Sequence, residues 1–321
     1  MREFDLIDRY FSGLTPTEAS VKCGIGDDAA VIDISPQQEL LVSVDTLVEG
    51  VHFFPSAAAF DIAYKSLAVN ISDIAAMGGE PRWATLALTL PNIDPDWLQS
   101  FADGFVEVAN KYGVCLIGGD TCQGPLSVTV QIMGTAEKGH SIKRSGALAG
   151  DLIYVSGNLG MAGLAYKSLM ENTDGHSVSS ECFERLHRPA PRVELGKQLS
   201  GLASSAIDIS DGLGSDLNHV LLSSGVAAEI ELDKLPVCKD VAQLEDKELL
   251  WQLTLATGDD YELCFTLPID KQIELEKRAK NISYPITCIG KIVSGEGIRW
   301  MQEDGSDANL DLKGYQHFSK V

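Results

Sequence analysis

The stretch Ser205-Ala-Ile-Asp-Ile-Ser-Asp-Gly-Leu-Gly-Ser-Asp-Leu217 constrains this chain more than any other. A short apolar run leads into Asp208, Ser210, Asp211 and Gly212, and a helical pattern follows, so the segment reads as strand, sharp corner and helix. Gly212 and Gly214 keep the corner open, and Ser210 or Asp211 is placed to cap the helix. Capping accounts for one carboxylate at such a corner. A hard cation accounts for two, because Mg²⁺ takes carboxylate oxygens and water.

Four other stretches share this character: Gly24-Ile-Gly-Asp-Asp-Ala-Ala30, Val42-Ser-Val-Asp-Thr46, Asn70-Ile-Ser-Asp73 and Ile117-Gly-Gly-Asp-Thr121. Each sets an aspartate beside Gly, Ser, Thr or Asn, at or near the end of an apolar run. For any one of Asp27, Asp28, Asp45, Asp73, Asp120, Asp208 and Asp211, turn formation is the simpler reading. As a set they ask for more. Carboxylates brought together are driven toward protonation unless cations compensate them, and two or more Mg²⁺ ions bridging phosphate oxygens would do so.

Composition narrows the partners. A chain of 321 residues suits two domains, and the 45% of hydrophobic residues supply a core. A formal net charge of −21 argues against nucleic acid, whose phosphates call for a basic surface. The seven cysteines are odd in number, form no C-x-x-C and sit mostly in apolar runs, which fits reduced thiols in the cytosol. Met1-Arg-Glu-Phe-Asp-Leu6 does not read as a signal peptide, and no apolar run approaches the ~20 residues of a membrane span. The expectation is a cytoplasmic protein with no membrane partner.

Hydrophobic periodicity predicts helices over 2–13, 57–77, 95–112, 161–171, 192–203, 211–224, 239–255 and 270–281. It predicts strands over 28–34, 40–45, 84–90, 114–117, 126–136, 151–156, 226–232, 261–267 and 286–293. In the 57–77 helix Phe60, Tyr64, Leu67, Ile71 and Ile74 form one stripe, and Asp73 falls on the opposite side. The polar, glycine-containing stretch 138–150 reads as a linker between an N-terminal domain, 1–137, and a C-terminal domain, 151–321. Both halves mix strands and helices, an α+β pattern, with antiparallel connections expected in the first.

No Walker G-x-x-x-x-G-K-[ST] and no kinase H-R-D or D-F-G set occurs. Gly157-Asn-Leu-Gly-Met-Ala-Gly163 precedes a helix and suits either a phosphate or close helix packing. Arg144 suits either a solvated linker or a nucleotide phosphate. His52, beside Phe53 and Phe54, reads as structural when taken alone. In Thr257-Gly-Asp-Asp-Tyr-Glu-Leu-Cys-Phe265 an acidic pair precedes a strand, as turn chemistry or to face a cationic ligand.

These residues together resemble one family. Gly-Ile-Gly-Asp-Asp-Ala, Val-Asp-Thr-Leu-Val-Glu-Gly-Val-His-Phe, Ala-Val-Asn-Ile-Ser-Asp, Gly-Gly-Asp-Thr, Ile-Asp-Ile-Ser-Asp-Gly-Leu and Gly-Asp-Asp-Tyr-Glu-Leu occur in the order found in thiamine-monophosphate kinases, from Phe4 to Phe318. That family lies within the aminoimidazole-ribonucleotide synthetase-like group. The resemblance implies two mixed α/β domains, with the N-terminal one dimerising through its sheet. It implies transfer of the ATP γ-phosphate to thiamine monophosphate, giving thiamine diphosphate. By position, Asp28, Ser43, Asp45, Asp73, Asp120, Asp208 and Asp211 would ligate Mg²⁺, some through water, with Val44 offering a backbone carbonyl. Gly119, Asp120, Arg144 and Ser210 would contact ATP, and His52, Asp259 and Tyr315 the thiamine phosphate. Asp45, Asp120, Asp208 and Arg144 would carry the chemistry. Two positions depart from the family's usual pattern: Asp259 stands for Glu, and Val44 for Thr.

Two other readings compete. One is a different ATP-dependent enzyme of the same group, though the reactive N-terminal Cys or the Cys tail of such proteins is missing here. The other is a non-catalytic binding module, which has no reason to keep so many mutually repelling carboxylates.

Overall fold

The computed structural model describes residues 3–15, 17–171, 178–308, 310 and 312. The chain divides into two compact units, Met1–Ala75 with Gly79–Ser141, and Ala76–Gly78 with Ile142–Val321. Each is a mixed sheet with helices, so the fold is α+β.

The first unit runs α1 (Glu3–Tyr10), β1 (Val21–Cys23), β2 (Val31–Ile32), β3 (Gln38–Val48), α2 (Ala59–Ala76), β4 (Glu80–Leu90), α3 (Pro95–Tyr112), β5 (Cys115–Gln123) and β6 (Ser127–Glu137). The last four strands named form one sheet in the order β3-β6-β4-β5. Its pairs are antiparallel except β4 with β5, which run parallel. This departs from the all-antiparallel expectation, because α3 carries the chain across and returns it in the same direction. Asp94 starts α3 by accepting the amides of Asp96 and Trp97, and Gly113, at φ 71°, ends it.

Alternation along β3, β4 and β6 sends Leu41, Leu47, Leu86, Leu88, Val128, Val130 and Ile132 into the core. Leu40, Val42 and Val44 on the other face stay exposed. Helix α2 is buried nearly all round, with Ser66, Asn70 and Ser72 at 0% exposure. Asp73 does lie off the apolar stripe, but it meets β3 rather than water.

The second unit holds β7 (Leu152–Ser156), α4 (Met161–Met170), α5 (Ser180–His187), α6 (Val193–Leu199), β8 (Ser205–Asp208), α7 (Leu213–Ser224), β9 (Ala227–Glu231), α8 (Lys239–Ala242), α9 (Lys247–Trp251), β10 (Leu263–Leu267), α10 (Gln272–Arg278), β11 (Ile286–Val293) and β12 (Ile298–Met301). The six strands lie in the order β12-β9-β11-β7-β10-β8, antiparallel except β12 with β9. Apolar side chains fill both faces. Ile153, Val155 and Ile207 pack with Leu213, Leu217 and Val220 of α7, while Tyr154, Leu263 and Phe265 pack with Leu195 and Leu199 of α6 and Leu275 of α10. A sheet covered on both sides reads as continuous apolar runs, as β10 does.

Three expectations give way here. The predicted helix 239–255 breaks, because Asp246 restarts it as α9 by accepting the amides of Glu248 and Leu249, and the chain then widens into a π-helical turn, Gln252–Ala256. The segments Ser180–His187 and Ile298–Met301 are a helix and a strand that the periodicity did not mark.

Candidate active site

In the first unit the aspartates fall into two groups. One belongs to β3 and α2. Ser43 Oγ donates to Asp73 Oδ2 at 2.6 Å, and the Asp45 backbone N–H donates to Asn70 Oδ1 at 3.1 Å. Asn70 is itself held by its Nδ2 on the Ser66 carbonyl, 2.9 Å. Ser43 and Asp45 share the helix-side face of the strand, whereas the Val44 side chain, 59% exposed, points the other way. Only the Val44 backbone lies on the line of the group. His52 stands just beyond, its Nδ1 accepting the Val48 N–H at 3.1 Å and its carbonyl accepting Lys65 Nζ at 3.4 Å. Its ring orientation is therefore set, and in the neutral form the proton sits on Nε2.

The other group lines a cavity of about 740 Å³ formed by α1, residues 24–30, β4 and β5. Asp27, Asp28, Gly118, Gly119 and Asp120 face it, opposite Ile7 and Phe11. Gly118-Gly-Asp-Thr121 is part of β5 and not the corner its composition suggested. Gly119 permits that pairing, since a Cβ there would stand 2.0 Å from the Leu86 carbonyl oxygen. The size suits a nucleotide-sized ligand.

The two groups occupy opposite edges of the sheet. Asp45 pairs with Val130, Val130 with Leu86, and Leu86 with Gly119, so three strand spacings, roughly 14 Å, separate β3 from β5. Among the described residues no three His, Cys, Asp or Glu gather closely enough to hold a metal ion on their own. The donor set is nonetheless the right chemistry for Mg²⁺, hard hydroxyl and carboxylate oxygens. That ion commonly takes one or two carboxylates, with water and substrate phosphates completing its shell.

In the second unit the corner forms as a strand end, a turn and α7. Helix capping works differently from expectation. Gly212, at φ 104°, is the N-cap and has no side-chain cap; Asp216 reaches back and accepts the amides of Ser210 and Asp211, both at 3.0 Å. The Ser210 and Asp211 side chains are thus not engaged in capping. Burial pushes the Asp216 carboxyl up to about 7, with the amides and Arg144 acting against it. Asp208 ends β8 and is 5% exposed.

Arg144 is exposed on a clamped turn. Ser224 Oγ accepts the amides of Gly146 and Ala147 and donates to the Arg144 carbonyl, while the Lys143 carbonyl accepts the Ala206 N–H.

Residues 257–261 lie against the same corner. The amides of Asp259 and Tyr261 donate to the carbonyls of Ser210 and Ile209 at 2.9 and 2.8 Å. The unit therefore brings Ser210, Asp211 and Asp259 together at one corner, whereas the Arg144 backbone is tied to Ser224 at the other end of α7, with its charge still acting on Asp216. Tyr315 lies outside the described residues.

The Gly157–Gly163 loop does not present itself as a phosphate cradle. The Gly160 amide donates to both oxygens of buried Asp260, at 3.0 and 3.1 Å, and a Cβ on Gly157 would collide with Glu262 at 2.0 Å. Glu262 in turn is paired with Arg192 by two hydrogen bonds and accepts Ser156 Oγ at 2.6 Å, all buried. Sequence reasoning missed Asn70, Asp216, Asp260 and the Glu262–Arg192 pair. Asp216 had left a signal, because it interrupts the apolar stripe Leu213, Leu217, Val220 of α7. The sequence pairs Asp260 with Asp259, as turn chemistry or to face a cationic ligand, and sets Glu262 inside the predicted strand 261–267, so neither buried contact is visible there.

The AIR synthase related protein N-terminal domain matches residues 26–136, and the corresponding C-terminal domain matches 149–299. Fold and site thus define a two-domain protein of the AIR synthase related class. The chain is 44% identical to the thiamine-monophosphate kinase of Escherichia coli (strain K12), over 99% of this chain and 98% of that one. The crystal structure of thiamine-monophosphate kinase from Stenotrophomonas maltophilia K279a superposes with a TM-score of 0.86 at 41% identity, covering 96% of this chain and 98% of that one. AaThiL complexed with AMPPCP and TMP gives 0.76 at 30% identity, over 99% of each chain. The chain belongs to the thiamine-monophosphate kinase family and is a kinase.

Proposed function

We propose that this protein transfers the γ-phosphoryl group of ATP directly, in line, to the phosphate of thiamine monophosphate, giving thiamine diphosphate and ADP, the last step in making that cofactor. The observation that carries the reading is the full-length likeness to AaThiL, captured with the ATP analogue AMPPCP and with TMP.

The acceptor is a phosphate monoester whose second pKa is about 6, so it is mostly ionised at neutral pH and needs no strong general base. The demand is electrostatic, since two anionic phosphates must meet. Arg144, held by Ser224 on its rigid turn, contacts the triphosphate and offsets part of that charge. Ser210 donates to a phosphate oxygen, its hydroxyl being released from capping by Asp216. Gly119 lets the nucleotide approach the β5 backbone, with Asp120 alongside it. Bound Mg²⁺, on Asp28, Ser43, the Val44 carbonyl, Asp45, Asp73, Asp120, Asp208 and Asp211, supplies charge neutralisation of the phosphates. His52, Asp259 and Tyr315 face the thiamine end, where a carboxylate and an aromatic ring suit a thiazolium cation.

A homodimer fits the same reading. The outer face of the first sheet leaves Leu40, Val42 and Val44 exposed, and the two aspartate groups stand at its opposite edges. A two-fold pairing that sets β3 of one copy beside β5 of the other brings the groups together and covers the apolar face.

The deciding experiment is incubation with ATP, Mg²⁺ and thiamine monophosphate, followed by separation of products. Thiamine diphosphate in step with ADP is expected. ADP with free phosphate and unchanged thiamine monophosphate would overturn the acceptor and leave only the ATP chemistry.

A further inference from the structure

Asp259 and Tyr261 are the non-glycine residues with left-handed backbones among those described, at φ 69° and 49°. Residues with side chains avoid this region, and it persists where the surroundings enforce it, commonly at functional sites. Here the enforcement is visible. The amides on both sides of Asp260 are tied to the carbonyls of Ser210 and Ile209. Gly258 lies so close to Ser210 that a Cβ would stand 1.9 Å from its carbonyl oxygen. Asp260 points inward, gripping the Gly160 amide with both oxygens. Residues 259 and 261 are left half-buried, and Tyr261 Oη donates to Asp259 Oδ1 at 3.2 Å.

We propose that Tyr261 is a positioning residue for the substrate: its hydroxyl holds the Asp259 carboxylate in place to meet the cationic end of thiamine monophosphate. A phenol donating to a carboxylate removes rotamer freedom that binding would otherwise have to freeze. The contact also answers a particular of this chain. Its acidic arm is an aspartate, whose short reach is offset by a fixed direction. The proposal rests on the substrate reading given above.

The test is a double-mutant cycle on the full chain with Tyr261→Phe, Asp259→Asn and the pair. Kinetics for each substrate are combined with calorimetric binding of thiamine monophosphate, which reports even without turnover. Tyr261→Phe is expected to weaken thiamine monophosphate, in KM and in Kd, by about 10- to 150-fold, the range of one hydrogen bond to a charged group. The KM for ATP should move less than about twofold, and adding Tyr261→Phe to Asp259→Asn should cost nothing further, since the hydroxyl acts through the carboxylate. An undiminished effect in the Asp259→Asn background, or equal losses for both substrates, would overturn the proposal. If Asp259→Asn leaves thiamine monophosphate binding unchanged, Asp259 is not at the substrate and the role of Tyr261 falls with it. A wild-type protein that binds thiamine monophosphate yet forms no thiamine diphosphate would overturn the reaction alone, and the binding cycle would still decide Tyr261.

Discussion

Asp45 and Asp120 stand on different edge strands, each beside a distinct group of polar partners, and neither supports the core. Asp45→Asn or Asp120→Asn should therefore lower kcat by about 100-fold or more, as loss of charge-organising groups does, with little change in the thermal midpoint. Wild-type turnover in both variants would remove these residues from the chemistry. Asp260 is a different case. Burial holds its carboxyl well above the usual carboxylate range, against the Gly160 amide that favours the charged form. A carboxyl with a raised folded pKa keeps its proton to higher pH in the native state than in the unfolded chain. Its contribution to stability is full below the unfolded value of about 4 and is lost as pH rises toward the folded one. Asp260→Asn cannot titrate and keeps an acceptor for Gly160. Its thermal midpoint relative to wild type should thus rise between pH 5 and pH 8. A constant difference would show that Asp260 titrates as an ordinary carboxyl. For the Glu262–Arg192 pair, 2% and 6% exposed, Arg192→Ala strands a buried carboxylate and should cost about 3–5 kcal/mol in denaturant titrations.

At the level of elements, close approach decides more than propensity. Gly104 lies in the middle of α3, where alanine would normally add about 1 kcal/mol to a helix. A Cβ there would stand 2.2 Å from the Phe60 carbonyl oxygen at the α2–α3 crossing. Gly104→Ala should instead destabilise by about 1–3 kcal/mol, as overpacking does, and a stabilised variant would mean that the crossing yields easily. The same lesson separates legible elements from hidden ones. Helix α3 was predicted with its observed bounds because Asp94-Pro95 and Gly113 punctuate it, and β11 likewise matches Ile286–Val293. β12 gave no signal because it is a four-residue strand at the edge of its sheet, beside β9. In α2 the periodicity marked a stripe, yet polar Ser66, Asn70 and Ser72 are buried too, satisfied by bonds such as Ser66 Oγ to the Ile62 carbonyl at 2.7 Å.

For the whole molecule, the open sheet face is the feature that asks for a partner. If it pairs two copies, Val42→Asp should turn a dimer into a monomer in sedimentation velocity. The stability of the unit itself should change by no more than about 0.5 kcal/mol, because the position is already exposed. A monomeric wild type would end the idea of pairing through this sheet. No helix among the described residues is long and apolar enough to cross a membrane.

The sequence by itself determined the class of fold, the family and the identity of the acidic, hydroxyl and glycine residues, because each is written in local spacing: a strand, a corner, a helix, an aspartate at the turn. Only the tertiary structure decided how those residues are grouped. It parted Asp45 and Asp73 from Asp28 and Asp120 by the width of a sheet, assigned the capping of α7 to Asp216, and turned Gly157 and Gly160 toward carboxylates. Strand order and register bring distant segments together, and no local pattern encodes which edge a strand will occupy.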